Sequence, residues 1–161
     1  HAKLRLSTIE LYLEPDEDEL IRYGRHSGGD MRGVKKWMVQ AEADLKAAKD
    51  SLKDGHYDWA CFQSQQSAEK ALKDFLYENG YTSIITHALK ELVGACKKIE
   101  GEFSTVESPA RHLDMFYIPT RYPNGLAGEL APSEFYEKED AERCVSYAEL
   151  ILEDVKKFLK K

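Results

Sequence analysis

The sequence has little cysteine: three residues, Cys61, Cys96 and Cys144, with no CxxC or Cys/His ligand spacing among its 161 positions. That pattern argues against a structural zinc site and against a disulfide framework, and no metal is expected. No run approaches the ~20 apolar residues a membrane helix needs, and no signal-peptide pattern opens the chain. The expectation is a cytoplasmic protein in a reducing compartment, with Cys61 and Cys144 as buried free thiols on apolar stretches. Positive charge is also short. The formal net charge is −6, so any nucleic-acid binding would need a local basic patch. GxSxG, P-loop, HExxH and GxGxxG patterns are all missing, so no nucleophile elbow and no cofactor is expected. The acidic runs at 16–19 and 137–142 read as helix-start acids rather than catalytic pairs.

What is present suits one folded domain. Apolar residues make up 42% and charged residues 32%, an ordinary composition for a chain that buries a single core. Residues 1–30 differ from the rest. Leu4, Leu6, Ile9, Leu11 and Leu13 alternate with polar residues, which suggests a short strand. Pro15 and the acids after it suggest a short acidic helix. Gly24 to Gly33 reads as a flexible joint. This extension is expected to pack on the domain, to reach a neighbouring subunit, or to remain a disordered leader.

From about residue 31 the pattern is helical, and the fold class is all-α. Val34, Trp37, Met38, Ala41, Leu45, Ala48 and Leu52 recur in steps of three and four, and Asp54-Gly55 closes that helix. A second helix spans about Tyr57 to Asn79 and should form an antiparallel hairpin with the first. A third begins near Thr86 as N-cap and carries Leu89, Leu92, Val93, Cys96 and Ile99. A shorter fourth starts at Ser108-Pro109, carries Ala110, Leu113 and Phe116, and cannot pass Pro119. Residues 119–136 read as a long Gly/Pro-rich loop, a common location for function. The last helix, about Glu137 to Lys160, repeats its apolar residues almost as heptads. Together these make an up-and-down bundle of about five helices.

Helix two carries four consecutive polar residues, Gln63-Ser64-Gln65-Gln66. Gln63, Gln66, Lys70 and Lys73 follow steps of three and four, so they are expected on one face. Amides and ammoniums together can hold a base and a phosphate. The plainer reading is a solvated face with Glu69–Lys73 as an ordinary i,i+4 ion pair. His87 stands at the start of helix three, as a nucleotide contact, a proton-transfer group or a structural histidine. In Thr120-Arg121-Tyr122-Pro123, Arg121 can grip phosphate or carboxylate and Tyr122 can stack on a base or fill an interface. Alternatively Arg121 anchors the loop. Arg111 reads as a surface residue, and His112 is left without a role.

The ordered blocks Ala43-Asp44-Leu45, Tyr57 through Lys73, His87-Ala88-Leu89, Leu113-Asp114, Tyr117 through Pro123 and Tyr136 through Ala141 resemble prokaryotic HEPN domains. The match covers 31–161 and leaves 1–30 outside. The resemblance implies a helical bundle that often dimerises and that pairs with minimal nucleotidyltransferases. Nucleotide binding has been proposed for the family, and some branches are ribonucleases or toxins of toxin–antitoxin pairs. Those branches carry an Arg, four to six residues, then a His. Here Arg22 precedes His26 by three intervening residues outside the domain, and Arg111 and Arg121 have no His at that distance downstream. The ribonuclease pair does not transfer, so no catalytic residue is assigned. The expectation is a non-catalytic, homodimeric module. Gln63, Gln66, Lys70, Lys73, His87, Arg121 and Tyr122 would line one polar cleft for a nucleotide, an RNA end or the nucleotidyltransferase. The alternatives are a ribonuclease toxin and a pure protein-interaction scaffold.

Overall fold

The computed structural model describes residues 21–23 and 31–160, with side chains from Lys36 onward. Two long helices form its spine, α1 (Met31–Lys53) and α2 (Tyr57–Glu78). Small side chains let their backbones approach: Ala41, Ala48, Ala60, Ala68 and Ala71 are all fully buried. The Ser67 hydroxyl donates to the Ala41 carbonyl at 2.6 Å, a direct tie between the two helices. The turn between them is set by Gly55, whose φ of 84° is open to glycine at little cost.

The remaining elements wrap α2. They are strand β2 (Tyr81–Ile84), α3 (Leu89–Ile99), a 3-10 turn (Gly101–Val106), α4 (Glu107–Asp114), the short α5 (Pro132–Phe135) and α6 (Lys138–Leu159). Helix α6 buries Ala141, Cys144, Val145, Ala148, Ile151, Leu152, Val155 and Phe158, the stripe its sequence predicts. Phe103, from the 3-10 turn, is fully buried between Phe75 at 4.8 Å and Phe158 at 4.7 Å between ring centroids. Those edge-on pairs close the bundle where α2, the turn and α6 converge. Among the described residues no helix is long and apolar enough to cross a membrane.

Several boundaries differ from the sequence expectations. Strand β1 (Ile21–Tyr23) pairs antiparallel with β2, so part of the first thirty residues lies on the domain. The expected strand at 4–13 and acidic helix after Pro15 lie outside the described residues. The expected joint is shorter than Gly24 to Gly33, because Met31, Arg32 and Gly33 already form the first turn of α1. Helix α3 starts at Leu89 rather than near Thr86. The Thr86 hydroxyl instead accepts from the Ala88 amide at 3.0 Å, a local turn that competes with helix. The 119–136 loop holds two short helical pieces, Pro123–Gly125 and α5. Gly125 belongs there because a Cβ would stand 2.9 Å from Pro119 Cα.

One buried group is out of balance. Asp74 on α2 is 2% exposed, and its Oδ1 has no hydrogen-bond partner among the described residues. Burial pushes its carboxyl up to about 7, and Glu78 adds to the rise. The folded chain therefore keeps a proton that an unfolded Asp, at about 3.9, would release. Asp74 thus favours the folded state at acid pH, and that contribution is lost as pH rises through about 7. Asp74→Asn should raise stability by about 1–2 kcal/mol at pH 8 and by little at pH 4.5. Urea unfolding at both pH values checks this.

Candidate functional site

The chemistry of α2 splits by helical angle. At 100° per residue, Phe62, Gln65, Gln66, Glu69 and Lys73 share one face, and Gln63, Ser67, Lys70 and Asp74 lie rotated toward α1. The contacts follow that division. Gln63, with its amide nitrogen turned toward α1, donates to Ser51 Oγ at 2.7 Å and to the Ala47 carbonyl at 3.1 Å. Lys70 pairs with Asp44 of α1. Gln63 and Lys70 therefore serve the α1–α2 seam. The expected face of four keeps only Gln66 and Lys73.

On the other face Glu69 is the hub. Its Oε2 accepts from Lys73 Nζ at 2.9 Å and from His87 Nδ1 at 2.9 Å. Its Oε1 receives the Gln65 amide at 3.3 Å and, more weakly, the Gln66 amide at 3.5 Å. Gln65 also reaches the His87 carbonyl at 3.3 Å. Gln65 is fully buried, and Glu69 and Lys73 are each 5% exposed. The solvated ion pair that spacing suggested is thus a buried one. Burial pushes the Glu69 carboxyl up. The His87 hydrogen bond and the Lys73 charge outweigh it and hold the carboxyl below its ordinary range. Because an ionised carboxylate only accepts, His87 must present Nδ1–H to it.

His87 is placed by α4. The Asp114 carboxylate, at the end of that helix, takes the Leu89 amide at 2.7 Å and the Lys90 amide at 3.0 Å. A cap contributed by another helix thus fixes where α3 begins, two residues after His87. Burial raises Asp114 to about 6 in spite of those bonds, with Glu69 and Glu91 adding to the rise.

The His87 ring stacks on Tyr117, with centroids 5.4 Å apart and planes 18° from parallel. The Arg121 guanidinium carbon lies 4.7 Å from the Tyr117 ring, 4.4 Å from Phe62 and 5.1 Å from Tyr122. Its Nε donates to the Tyr117 carbonyl at 2.8 Å, and no carboxylate pairs with it among the described residues. The Thr120 hydroxyl bonds the Phe116 carbonyl at 2.6 Å and holds the turn. Tyr122 is half exposed. The amide- and lysine-bearing helix and the arginine–tyrosine turn therefore do meet, through Phe62, His87 and Tyr117. His112 lies elsewhere, against Phe116 and Tyr147 in the α4–α6 seam, where burial and then Arg143 lower its pKa.

Sequence reasoning missed Phe62, Gln65, Tyr117 and Asp114, and it undervalued Glu69. A signal existed for two of them. Gln65 and Glu69 fall in register with Leu72 and Leu76, both fully buried, so they sit on a core stripe. Tyr117 and Asp114 gave no such signal: the amides that Asp114 caps lie 24 and 25 positions earlier, and the rings of His87 and Phe62 that meet Tyr117 are on other elements.

A helical bundle with this site defines a class, and the comparisons agree with it. The HEPN domain model matches residues 34–158, and this chain belongs to the HEPN family. It is 35% identical over 145 residues to a Methanocaldococcus jannaschii protein named "Putative toxin MJ1304", covering 83% of this chain and 93% of that one. Among solved structures it resembles TT1696 from Thermus thermophilus, with a TM-score of 0.70 and 34% identity over 77% of this chain and 96% of that one. It also resembles ST0689, an archaeal HEPN homologue, with a TM-score of 0.63 and 37% identity over 76% and 94% of the two chains. A HEPN domain protein of Thermotoga maritima, tm0613, gives 0.63 and 30% identity over 78% and 98%.

The hub yields a direct expectation. Glu69→Gln leaves Lys73 charged and buried without its counter-ion, which should cost roughly 3 kcal/mol of unfolding free energy. Adding Lys73→Met should return most of that loss. Chemical denaturation of the two variants checks both steps.

Proposed function

We propose that this chain is a toxin-type HEPN module that binds a nucleotide or RNA end at the Phe62–His87–Tyr117–Arg121–Tyr122 face. On this reading it acts as a homodimer without chemistry of its own and partners a minimal nucleotidyltransferase. The single supporting observation is Arg121, a cation held by three rings with no carboxylate against it among the described residues. Such a group meets phosphate while Tyr122 offers a ring to a base. Lys70 and Lys73 add little to phosphate binding, since Asp44 and Glu69 neutralise them. Met115, Ile118 and Tyr122 are exposed apolar residues of the same stretch of chain that carries Tyr117 and Arg121, and they suit a second copy or the partner enzyme.

The Glu69–His87 contact favours a second reading, a ribonuclease. A carboxylate bound to an imidazole, with a guanidinium close by, is a grouping that phosphodiester cleavage can use. Likeness to a protein named as a toxin fits that reading too.

Calorimetry with AMP, GMP and a short single-stranded RNA separates the two, together with incubation of labelled RNA. The proposal expects saturable binding, at least tenfold weaker in Arg121→Ala, and intact RNA. Cleavage that disappears in both His87→Ala and Arg121→Ala would replace it with the ribonuclease reading. Absence of heat with all three ligands would remove the ligand-binding claim.

A further inference from the structure

Where α1 and α2 meet, a separate groove of about 180 Å³ opens between Lys36, Trp37, Gln40 and Lys70. Its wall is apolar, made of the indole and the methylene stems of its neighbours. The indole is fixed from behind: Tyr77 packs on it at 5.3 Å between centroids, and Lys73 Nζ stands 5.8 Å from its centre. The rim is polar. Gln40 donates its amide nitrogen to Asp44 at 2.8 Å, which fixes the amide and leaves its carbonyl oxygen as an acceptor. Lys70 bonds both Asp44 and, at 3.4 Å, Gln66. Lys36 is exposed and has no carboxylate partner among the described residues. In a chain of net charge −6, an exposed ammonium beside an aromatic wall is a local exception.

A flat apolar wall, one fixed acceptor and a cation with no carboxylate partner among the described residues match a planar heteroaromatic ring carrying an anion. We propose that this groove is a single-base slot. It takes a nucleoside 5′-monophosphate, free or as the end of an RNA strand, with the base against Trp37, its amino group toward Gln40 and the phosphate on Lys36. The inference rests on the proposal that the chain binds nucleotides. It places a base on the α1–α2 flank, away from Arg121.

The chain has two tryptophans, so Trp59→Phe leaves Trp37 as the only indole reporter. Titrating that variant with AMP, adenosine and a five-nucleotide RNA should quench Trp37 emission saturably. Adenosine should bind at least tenfold more weakly than AMP. Lys36→Glu in the same background should weaken AMP at least tenfold without changing the circular dichroism. A response to the RNA at concentrations where AMP gives none assigns the slot to a strand end; a response to both assigns it to the free nucleotide as well. No quenching by any ligand, or equal affinity in Lys36→Glu, overturns the slot. If calorimetric binding then survives in Lys36→Glu and fails in Arg121→Ala, the groove is wrong and the proposed function stands. If calorimetry shows no binding at all, the function falls with it.

Discussion

A carboxylate in the interior of the bundle sets the terms for everything around it. Taking the Glu69 charge out of water costs several kcal/mol unless cations and donors surround it. The structure supplies Lys73, His87, Gln65 and Gln66. Three of those partners come with the helix itself, at i+4, i−4 and i−3. His87 does not. It must be brought from the segment beyond β2, so satisfying one buried charge also fixes the path of the chain between α2 and α3.

That requirement carries through to the opposite edge of the site. His87 is held from one side by Glu69 and from another by the Tyr117 ring, and the Tyr117 carbonyl in turn holds Arg121. Asp114 locks the start of α3 beside it. Each member is positioned by a neighbour on a different element. The arginine at the end of the series is thereby pre-set, and under the proposed function its placement would need no ordering on binding. Counting lysines would have overstated the positive charge of the site. Lys73 is needed inside and Lys70 is needed by α1, which leaves Arg121 as the effective cation.

The helical order is legible in the sequence because periodicity reports burial directly: spacing alone reveals the stripes of α1, α3 and α6. The start of α3 is not, since Thr86 offers a local capping oxygen while the true cap, Asp114, lies on another helix. Strand β2 escapes sequence reading because four residues carry little periodic signal and its partner, β1, lies far earlier in the chain. In the site, the meeting of helix two with the Arg121 turn follows the expectation. The grouping of Gln63, Gln66, Lys70 and Lys73 is too coarse, because steps of three and four also span a wide arc. Gln63 and Lys70 sit roughly 40–80° round toward α1. Buried polar residues such as Gln65 and Glu69 look like surface when read by polarity alone. Only their register with Leu72 and Leu76 distinguishes them.

The central claim is that Glu69 holds the His87 ring by its Nδ1–H. Nitrogen-15 NMR of the imidazole reports this directly. The expected result is a proton on Nδ1 held in the hydrogen bond to Glu69, and an Nδ1 resonance that shifts in Glu69→Gln. An Nδ1 that carries no proton, or a resonance indifferent to Glu69→Gln, would contradict it.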